Sequence, residues 1–424
     1  MKDDARDDAG LAAAPDGALD VVHTLQAEGF EAYLVGGCVR DRFLGREVND
    51  WDVATDAEPD AVLSLFERTI PTGLEHGTVT VMKGAMPIEV TTYRVEVGYS
   101  DGRHPDAVHY TRVLEDDLSR RDFTVNAMAW NPVTGKVVDP FAGRADLDAR
   151  CIRAVGRARA RFDEDGLRAL RAVRFACVLD FEIEPETWAA IPATIETFRR
   201  VSAERIRVEL MKIVDAPRVG SGVDALRASG LLAEFCPEVA AIDDVVWRDL
   251  VAALASPPPS RAARLAMITH YAEGDLEGRF RALRFSKHER REVVHLLSFR
   301  DVQPQHLLDG PTVKGFVAEA TRDALAPLLA FRGALGDGET RAQWAALAQR
   351  IDDLGALEAP LHPRELAIDG RVIIDTLGVR PSRRIGDTLM ILLKAVWREP
   401  ALNTKEGLLE HLAAAYDAAG EGSP

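Results

Sequence analysis

Two aspartates separated by a single residue, Asp50 and Asp52, are the first candidates for chemistry in this chain of 424 residues. They lie in the segment DWDVATD, which the pattern predicts to be a strand. Alternate side chains of a strand point to the same face, so the two carboxylates would stand side by side while Trp51 points the other way. An isolated pair of this kind most often lies on a solvent-facing edge strand. A pair of divalent cations would relieve the repulsion between the carboxylates and, with a substrate triphosphate, would give the two-metal arrangement of nucleotidyl or phosphoryl transfer.

A third carboxylate, Glu89 in IEVTTYR, lies on a neighbouring predicted strand. Alone it would be an ordinary half-exposed strand residue. Next to the aspartate pair, it could complete a metal site or take a proton from an attacking hydroxyl.

A glycine pair, Gly36 and Gly37, follows the predicted strand EAYLVGG and precedes the predicted helix CVRDRFLG. Such a turn brings backbone N–H groups and the positive end of the helix dipole toward a phosphate. Arg40, in the first turn of the helix, could neutralise triphosphate oxygens. Most glycine pairs are only turns, but the order strand, Gly-Gly, helix and paired aspartates is more specific.

The predicted helix EDGLRALRAVRF carries charged residues at every third position: Asp165, Arg168, Arg171 and Arg174. One interpretation is a salt bridge between Asp165 and Arg168 on a solvated helix face. The other is a template for a base, because an acceptor beside a donor can pair with one edge of a base. Cytosine and adenine offer an amino donor next to a ring-nitrogen acceptor, whereas uracil and guanine offer a carbonyl next to an N–H. A fixed pair of this kind would accept C and A and reject U and G.

The remaining elements predict how these residues are held. Residues 17–28 and EPDAVLSLFER have helical spacing, and TVTVMKG and IEVTTYR alternate as two strands of a hairpin around Gly84. Beyond about residue 152 strand signals vanish and helical patterns dominate. The sequence therefore predicts an α+β head with a small mixed sheet, followed by an all-α remainder. The predicted domains are a disordered acidic tail (1–16), the head (17–150), a helical neck with the nucleotide-selecting helix (151–217), a helical body (218–310) and a helical tail (311–424).

Composition limits the class of protein. Hydrophobic residues make up 47% and charged residues 28%, as in ordinary globular proteins, and the net charge of −16 alone argues against a nucleic-acid binder. Residues 151–176, however, carry seven arginines against three acids and form a local basic segment. Four scattered cysteines indicate neither a zinc site nor a disulfide framework. No apolar stretch approaches the length of a membrane span, so a cytoplasmic protein is expected.

Several of these segments together resemble one family. LVGGCVRDRFLGREVNDWDVATDA, IEVTTYR, RRDFTVNAMAW and EDGLRALRAVRF are similar to successive motifs of class II, bacterial-type tRNA CCA-adding enzymes and their poly(A) polymerase relatives, in the DNA polymerase β-like nucleotidyltransferase superfamily. The resemblance is dense from about residue 19 to 215 and thin from about 240 to 350. It recovers near the C-terminus, where GVRPSRRIGD resembles the tail of CCA-adding members.

The resemblance implies roles for individual residues. Asp50 and Asp52 would bind two catalytic Mg²⁺ ions, with Glu89 as the third catalytic carboxylate. Further residues would contact the nucleotide: Gly36, Gly37 and Arg40 at the triphosphate, Arg121, Asp122 and Asn126 near the sugar and phosphates, Asp165 and Arg168 at the base, and Arg171 and Arg174 as additional contacts. GYSDGRHPDAVHY matches the flexible loop of the family, but Arg103 and His104 stand where members commonly show two arginines. His270 is followed by Tyr271, so no second, hydrolytic metal centre is expected.

The activity implied is template-independent addition of C, C and A to the tRNA 3′ end from CTP and ATP, with release of pyrophosphate. The helical remainder would bind the acceptor arm of tRNA, and no protein or membrane partner is implied. The alternatives are a poly(A) polymerase, an enzyme that adds only CC or only the terminal A, and, more remotely, a non-catalytic RNA-binding scaffold. Magnesium-dependent release of pyrophosphate would separate the enzymes from the scaffold.

Overall fold

The computed structural model describes residues 14–98, 107–258 and 260–421. The chain divides into two compact units, residues 1–240 with 282–284, and residues 241–281 with 285–424. The predicted disordered tail lies outside the described residues except for its last three, and the first helix begins at Asp16. Head and neck fall within the first unit, and the finer division into four parts stays a prediction.

Within the part of the chain that the structure describes, the strands are short and all begin before residue 185. They are β1 (Ala32–Val35), β2 (Trp51–Thr55), β3 (Thr69–Gly73), β4 (Thr78–Lys83), β5 (Met86–Thr92), β6 (Arg94–Val97), β7 (Ala107–Tyr110), β8 (Ala129–Trp130), β9 (Val137–Val138), β10 (Cys151–Ile152) and β11 (Glu182–Ile183).

The helices of the first part of the chain are α1 (Asp16–Ala27), α2 (Gly37–Phe43), α3 (Pro59–Leu65), α4 (Leu114–Ser119), α5 (Gly143–Asp148), α6 (Ala158–Glu164), α7 (Leu167–Leu179), α8 (Pro185–Ala193), α9 (Ile195–Phe198), α10 (Ala203–Asp215), α11 (Val219–Ala228), α12 (Leu231–Phe235) and α13 (Pro237–Ala240). They continue with α14 (Asp244–Ala253), α15 (Arg261–Thr269), α16 (Leu276–Ala282), α17 (Lys287–Leu297), α18 (Gly310–Ala320), α19 (Arg322–Ala334), α20 (Gly338–Asp353), α21 (Gly370–Leu377), α22 (Arg383–Arg398) and α23 (Lys405–Glu421). Short 3₁₀ turns span Leu74–His76, Thr124–Asn126, Pro304–His306, Pro363–Glu365 and Pro400–Leu402. Among the described residues, the helices are too short or too polar to cross a membrane.

Within the described residues of the first unit, seven strands form one mixed sheet in the order β3-β4-β5-β2-β1-β8-β9. Strands β2 and β5 run parallel, and the other neighbours in this sheet are antiparallel. The predicted β4–β5 hairpin is confirmed, with Gly84 at a φ of +64° in its turn. The prediction of an α+β head followed by a helical remainder is also confirmed. Strands β3 and β6 to β11 were not predicted, and the last of these, β11, lies in the part of the chain where only helices were expected.

The centre of the sheet packs against α1 in a hydrophobic core. Leu34 of β1, Val53 of β2 and Ile88 of β5 are fully buried, and α1 adds Val21 and Leu25. Burial of such side chains contributes about 1.5–3 kcal/mol each. The polar residues that alternate with them on β2 and β5 are therefore held in fixed positions.

Helix α7 differs from the solvated helix that the charge spacing allows. Ten of its thirteen residues are buried, including Arg168 and Arg174. Asp165 does not belong to it: its φ of −142° and ψ of 105° are extended, and it follows the end of α6. The first interpretation, a salt bridge between Asp165 and Arg168 on one solvated helix face, is therefore wrong, because the chain changes direction between the two residues.

The change of direction depends on Gly166. A Cβ atom at this position would lie 2.6 Å from both the N and the Cα atoms of Phe198, closer than real Cβ contacts come. A larger residue would push α7 away from α9 and displace Asp165 with it. Close backbone packing, and not an unusual φ angle, is the reason for glycine here.

The described residues of the second unit form helices and connecting turns, without strands. Its C-terminal part has a core of its own, in which Leu392, Leu393 and Val396 of α22 pack near Leu408 and Leu412 of α23. The helical prediction for this part of the chain is confirmed.

Candidate active site

A cavity of about 380 Å³ lies within the first unit, beside β2, the start of α2, the Thr124–Asn126 turn and α7. Its lining residues are Gly36, Gly37, Arg40, Asp52, Arg120, Arg121, Asp122, Asn126, Asp165, Leu167, Arg168, Arg171, Phe175 and Arg205. All the site residues predicted from the sequence are in this lining except Asp50, Glu89 and Arg174.

The three predicted catalytic carboxylates lie on two adjacent strands. Asp52 of β2 stands directly opposite Glu89 of β5 in the parallel register. Asp50 precedes β2 and is exposed, as is Glu89, whereas Asp52 is partly buried. Burial raises the pKa of Asp52 to about 6; repulsion from Glu89 and Asp50 adds to the increase, and the charge of Arg121 opposes it. Negative charge is therefore crowded at this end of the cavity.

A bound cation would relieve the repulsion among these three carboxylates. The described residues contain no group of three or more acidic, histidine or cysteine side chains arranged as a ready metal site. Mg²⁺, however, is commonly held by one or two carboxylates together with substrate phosphates and water, and not by an all-protein cage. Asp52 and its neighbours Asp50 and Glu89 supply oxygen ligands of the type that Mg²⁺ requires.

Gly36 has a backbone conformation that favours glycine, and a side chain at this position would displace the end of Arg121. Its φ is +76°, a conformation that glycine adopts without strain, and a Cβ atom would lie 2.9 Å from Nη1 of Arg121. Its N–H donates to the Met128 carbonyl at 3.3 Å. The missing side chain lets Arg121 and Asp52 face the same part of the cavity.

Four of the predicted residues form one hydrogen-bonded chain. Arg40 donates to Asn126 Oδ1 at 2.6 Å, and Asn126 Nδ2 donates to Asp122 Oδ1 at 3.0 Å. Asp122 Oδ2 accepts from Nε and Nη2 of Arg171 at 2.8 and 2.6 Å. Burial alone would raise the pKa of Asp122, but the Arg171 charge and the hydrogen bonds from Asn126 and Arg171 hold it well below its usual range. The residues predicted to contact the nucleotide therefore also orient one another.

A buried aspartate that the sequence did not single out, Asp117 of α4, holds the neighbouring arginines. Its Oδ1 accepts from Nε and Nη2 of Arg120 at 3.0 and 2.7 Å, and its Oδ2 accepts from Arg121 at 3.2 Å. Burial works to raise the pKa of Asp117, but the two arginines outweigh it and lower the pKa. Arg120 also forms an ion pair with Glu96 of β6 at 3.1 Å.

The predicted base-selecting residues share the cavity but have different partners. The Asp165 carboxylate accepts hydrogen bonds from both terminal nitrogens of Arg205, at 3.0 and 2.6 Å, and from the N–H of Leu167, at 3.0 Å. Arg168 pairs with Glu164 at 2.6 Å. Arg205, on α10, was missed because nothing in its local sequence distinguishes it from the other charged residues of an amphipathic helix.

Arg174 is the predicted residue that lies behind the cavity wall. Its Nε is 2.6 Å from Glu209 Oε2, and its guanidinium lies 3.5 Å from the centre of the Phe175 ring. Phe175 lines the cavity, so Arg174 supports the wall from behind. Its predicted contact with nucleotide stays a prediction.

The sequence also drew attention to Arg103 with His104 and to His270. Arg103 and His104 of the predicted flexible loop are outside the described residues. His270, in the second unit, is partly buried with Nε2 2.9 Å from Nη1 of Arg332. Burial, together with the charges of Arg332 and Arg300, lowers its pKa to about 3, so it is neutral at physiological pH.

Comparison with known proteins bears on the whole chain. Residues 32–153 match the family described as "Poly A polymerase head domain", and residues 180–243 match "Probable RNA and SrmB- binding site of polymerase A". The CCA-adding enzyme of Levilactobacillus brevis is 48% identical over 223 residues, which span 53% of this chain and 56% of that enzyme. The CCA-adding enzyme of Latilactobacillus sakei subsp. sakei is 35% identical over 396 residues, covering 93% of this chain and 96% of that enzyme.

The likeness extends to a solved structure. The Bacillus stearothermophilus CCA-adding enzyme in complex with CTP superposes with a TM-score of 0.80 at 30% identity, covering 97% of this chain and all of that one. The sequence matches and the shared fold indicate the same family, and most of the site residues predicted from the sequence line one cavity. The chain belongs to the CCA-adding enzyme family of nucleotidyltransferases.

Proposed function

We propose that this protein adds C, C and A to the 3′ end of tRNA from CTP and ATP and releases pyrophosphate. The observation that carries the proposal is that Asp165 and Arg168, the proposed acceptor and donor for the base, line the same cavity as the carboxylate Asp52. A nucleotide whose base lies at α7 would place its triphosphate toward Asp52, Arg40 and Arg121. The family relatives named above carry the same activity in their names.

The proposed reaction joins the terminal 3′ oxygen of tRNA to the α-phosphorus of the nucleotide and breaks the bond between the α-phosphorus and the bridging oxygen to the β-phosphate. Arg40 and Arg121 orient the triphosphate with charge-assisted hydrogen bonds. Glu89 accepts the hydroxyl proton or completes the oxygen ligands beside Asp52. Two Mg²⁺ ions held by Asp50 and Asp52 would lower the pKa of the hydroxyl and neutralise the leaving pyrophosphate.

Base selection follows from donor and acceptor order. Asp165 accepts from the exocyclic amine of C or A, and Arg168 donates to the adjacent ring nitrogen. Uracil and guanine present the opposite order and would leave a carboxylate facing a carbonyl. The helical remainder from residue 218 onward is proposed to bind the acceptor arm, and the protein is proposed to act in the cytoplasm.

The test measures which nucleotide is incorporated when one nucleoside triphosphate is supplied at a time. The protein is incubated with Mg²⁺ and tRNAs that end before CCA, after C and after CC, with one nucleoside triphosphate at a time. CCA addition predicts C on the first two tRNAs and a single A on the third. Runs of A would instead indicate a poly(A) polymerase, and failure of one step would indicate an enzyme for CC or A alone. Absence of pyrophosphate release would indicate a scaffold.

Replacing Asp165 by alanine is expected to reduce the use of CTP and ATP and to relax the rejection of UTP and GTP. One base-edge pair discriminates by about 1–3 kcal/mol, so the CTP to UTP ratio should fall about ten- to a hundredfold. Since Asp165 also loses its bonds with Arg205, the free energy of unfolding should fall by about 1–3 kcal/mol. Asp163→Ala, at an exposed position two residues away, is the matched control. An unchanged ratio in Asp165→Ala would contradict base selection by this residue.

A further inference from the structure

The pairing of Asp165 with Arg205 has a consequence for base choice. Asp165 Oδ1 accepts two hydrogen bonds, from Leu167 N and from Arg205 Nη1, whereas Oδ2 accepts one, from Arg205 Nη2. An ionised carboxylate offers about four acceptor positions. Among the contacts of the described residues, one position therefore remains, on Oδ2.

The bidentate geometry also determines where that position points. Because Nη1 and Nη2 of one planar guanidinium bond to different oxygens, they take the inner acceptor position of each oxygen, which leaves the outer position of Oδ1 to the Leu167 N–H. The remaining acceptor position is then on the outer edge of Oδ2. The carboxylate cannot rotate without breaking charge-assisted hydrogen bonds, so this edge is fixed relative to α7.

Arg168 is held separately. Besides Glu164, it donates to the carbonyls of Arg161 and Arg120, at 3.2 and 3.0 Å. Its position does not depend on Arg205. Loss of Arg205 would therefore free the acceptor, Asp165, to rotate, while the donor, Arg168, would stay in place.

We propose that Arg205 is a positioning residue for base selection, which fixes the acceptor edge that Asp165 presents to the incoming base. This inference rests on the proposed function. When the carboxylate is fixed, a bound uracil places its carbonyl oxygen against the carboxylate, and the two groups repel each other. A carboxylate free to rotate can follow a shifted base and accept the N–H of uracil. Arg205 thus sets selectivity through Asp165.

The test compares steady-state kcat/KM for CTP and UTP on a tRNA lacking CCA, in Arg205→Ala, Arg205→Lys and the parent. Arg205→Ala is expected to lower the CTP to UTP ratio about tenfold or more. Arg205→Lys keeps the charge but not the planar fork, so its ratio should also fall. The matched control is Arg199→Ala, which removes another bidentate arginine pair of the neck, with Glu234, away from the cavity. Its ratio should stay at the parent value.

A double-mutant cycle separates action through Asp165 from direct contact with the base. In an Asp165→Ala background, Arg205→Ala should leave the CTP to UTP ratio unchanged. Equal effects in both backgrounds would overturn the proposal and indicate that Arg205 contacts the nucleotide itself. An unchanged ratio in Arg205→Ala alone, with a discriminating parent, would also overturn it. A parent that does not discriminate at all would instead contradict the proposed function.

Discussion

Replacing Asp52 by asparagine or alanine is expected to abolish nucleotide transfer while leaving the protein folded. The change removes the carboxylate that lies in the cavity opposite Glu89, where metal ions and the transition-state charge would be held. Losing such an interaction costs about 4 kcal/mol or more, which lowers kcat by at least about a thousandfold. The measurement is single-turnover extension of a tRNA lacking CCA in the presence of Mg²⁺. Asp50→Ala is predicted to abolish transfer in the same way.

The stability of the Asp52 variants provides the control. The fold raises the pKa of Asp52 to about 6, so at neutral pH its ionised form is less favourable in the folded than in the unfolded protein. Asp52→Asn is therefore expected to keep or slightly raise the melting temperature. Asp60→Ala, at an exposed aspartate on α3, should keep both activity and stability. Turnover near the parent value in Asp52→Asn would show that the metal assignment is wrong.

Replacing Asp117 by asparagine is expected to lower the free energy of unfolding by about 3 kcal/mol or more. The substitution leaves Arg120 and Arg121 with less compensation for their burial, and breaking a buried ion pair from one side costs about 3–5 kcal/mol. Urea denaturation of the full chain measures the loss. Glu115→Gln, on an exposed position of the same helix, is the control and should change little.

The dependence of this loss on pH checks its cause. Because the pKa of Asp117 is lowered in the folded protein, its contribution is complete above the unfolded value of about 4 and is lost as the pH falls further. The stability difference between parent and Asp117→Asn should be constant from about pH 5 to 7 and shrink below about pH 4. A difference that persists at low pH would indicate lost packing and not lost charge.

The sequence predicted the parts of the site that follow from local rules. The alternation around Asp52, the Gly36–Gly37 turn and the hairpin around Gly84 each depend on residues within one or two elements, so their spacing is informative. Strands β3 and β6 to β11 were not predicted because each has only two to five residues, too few to show a strand pattern by itself.

The partners of the charged residues could not be predicted in the same way. Spacing suggested that Asp165 pairs with Arg168, but its partner is Arg205, 40 residues further along the chain. Arg171 pairs with Asp122, 49 residues earlier. Such pairs depend on how helices pack on the sheet, which hydrophobic periodicity does not specify.

These pairs have a consequence for how quickly a nucleotide is captured. Arg40, Arg120, Arg121, Arg168, Arg171 and Arg205 line the cavity, and each has a carboxylate partner. Their fields therefore largely cancel beyond the first few ångströms, in a protein whose net charge is already −16. The protein therefore exerts no long-range attraction on a triphosphate anion, so the association rate should not fall as the ionic strength rises. Recognition then takes place at close range, when phosphate oxygens compete with the resident carboxylates for the same guanidinium groups.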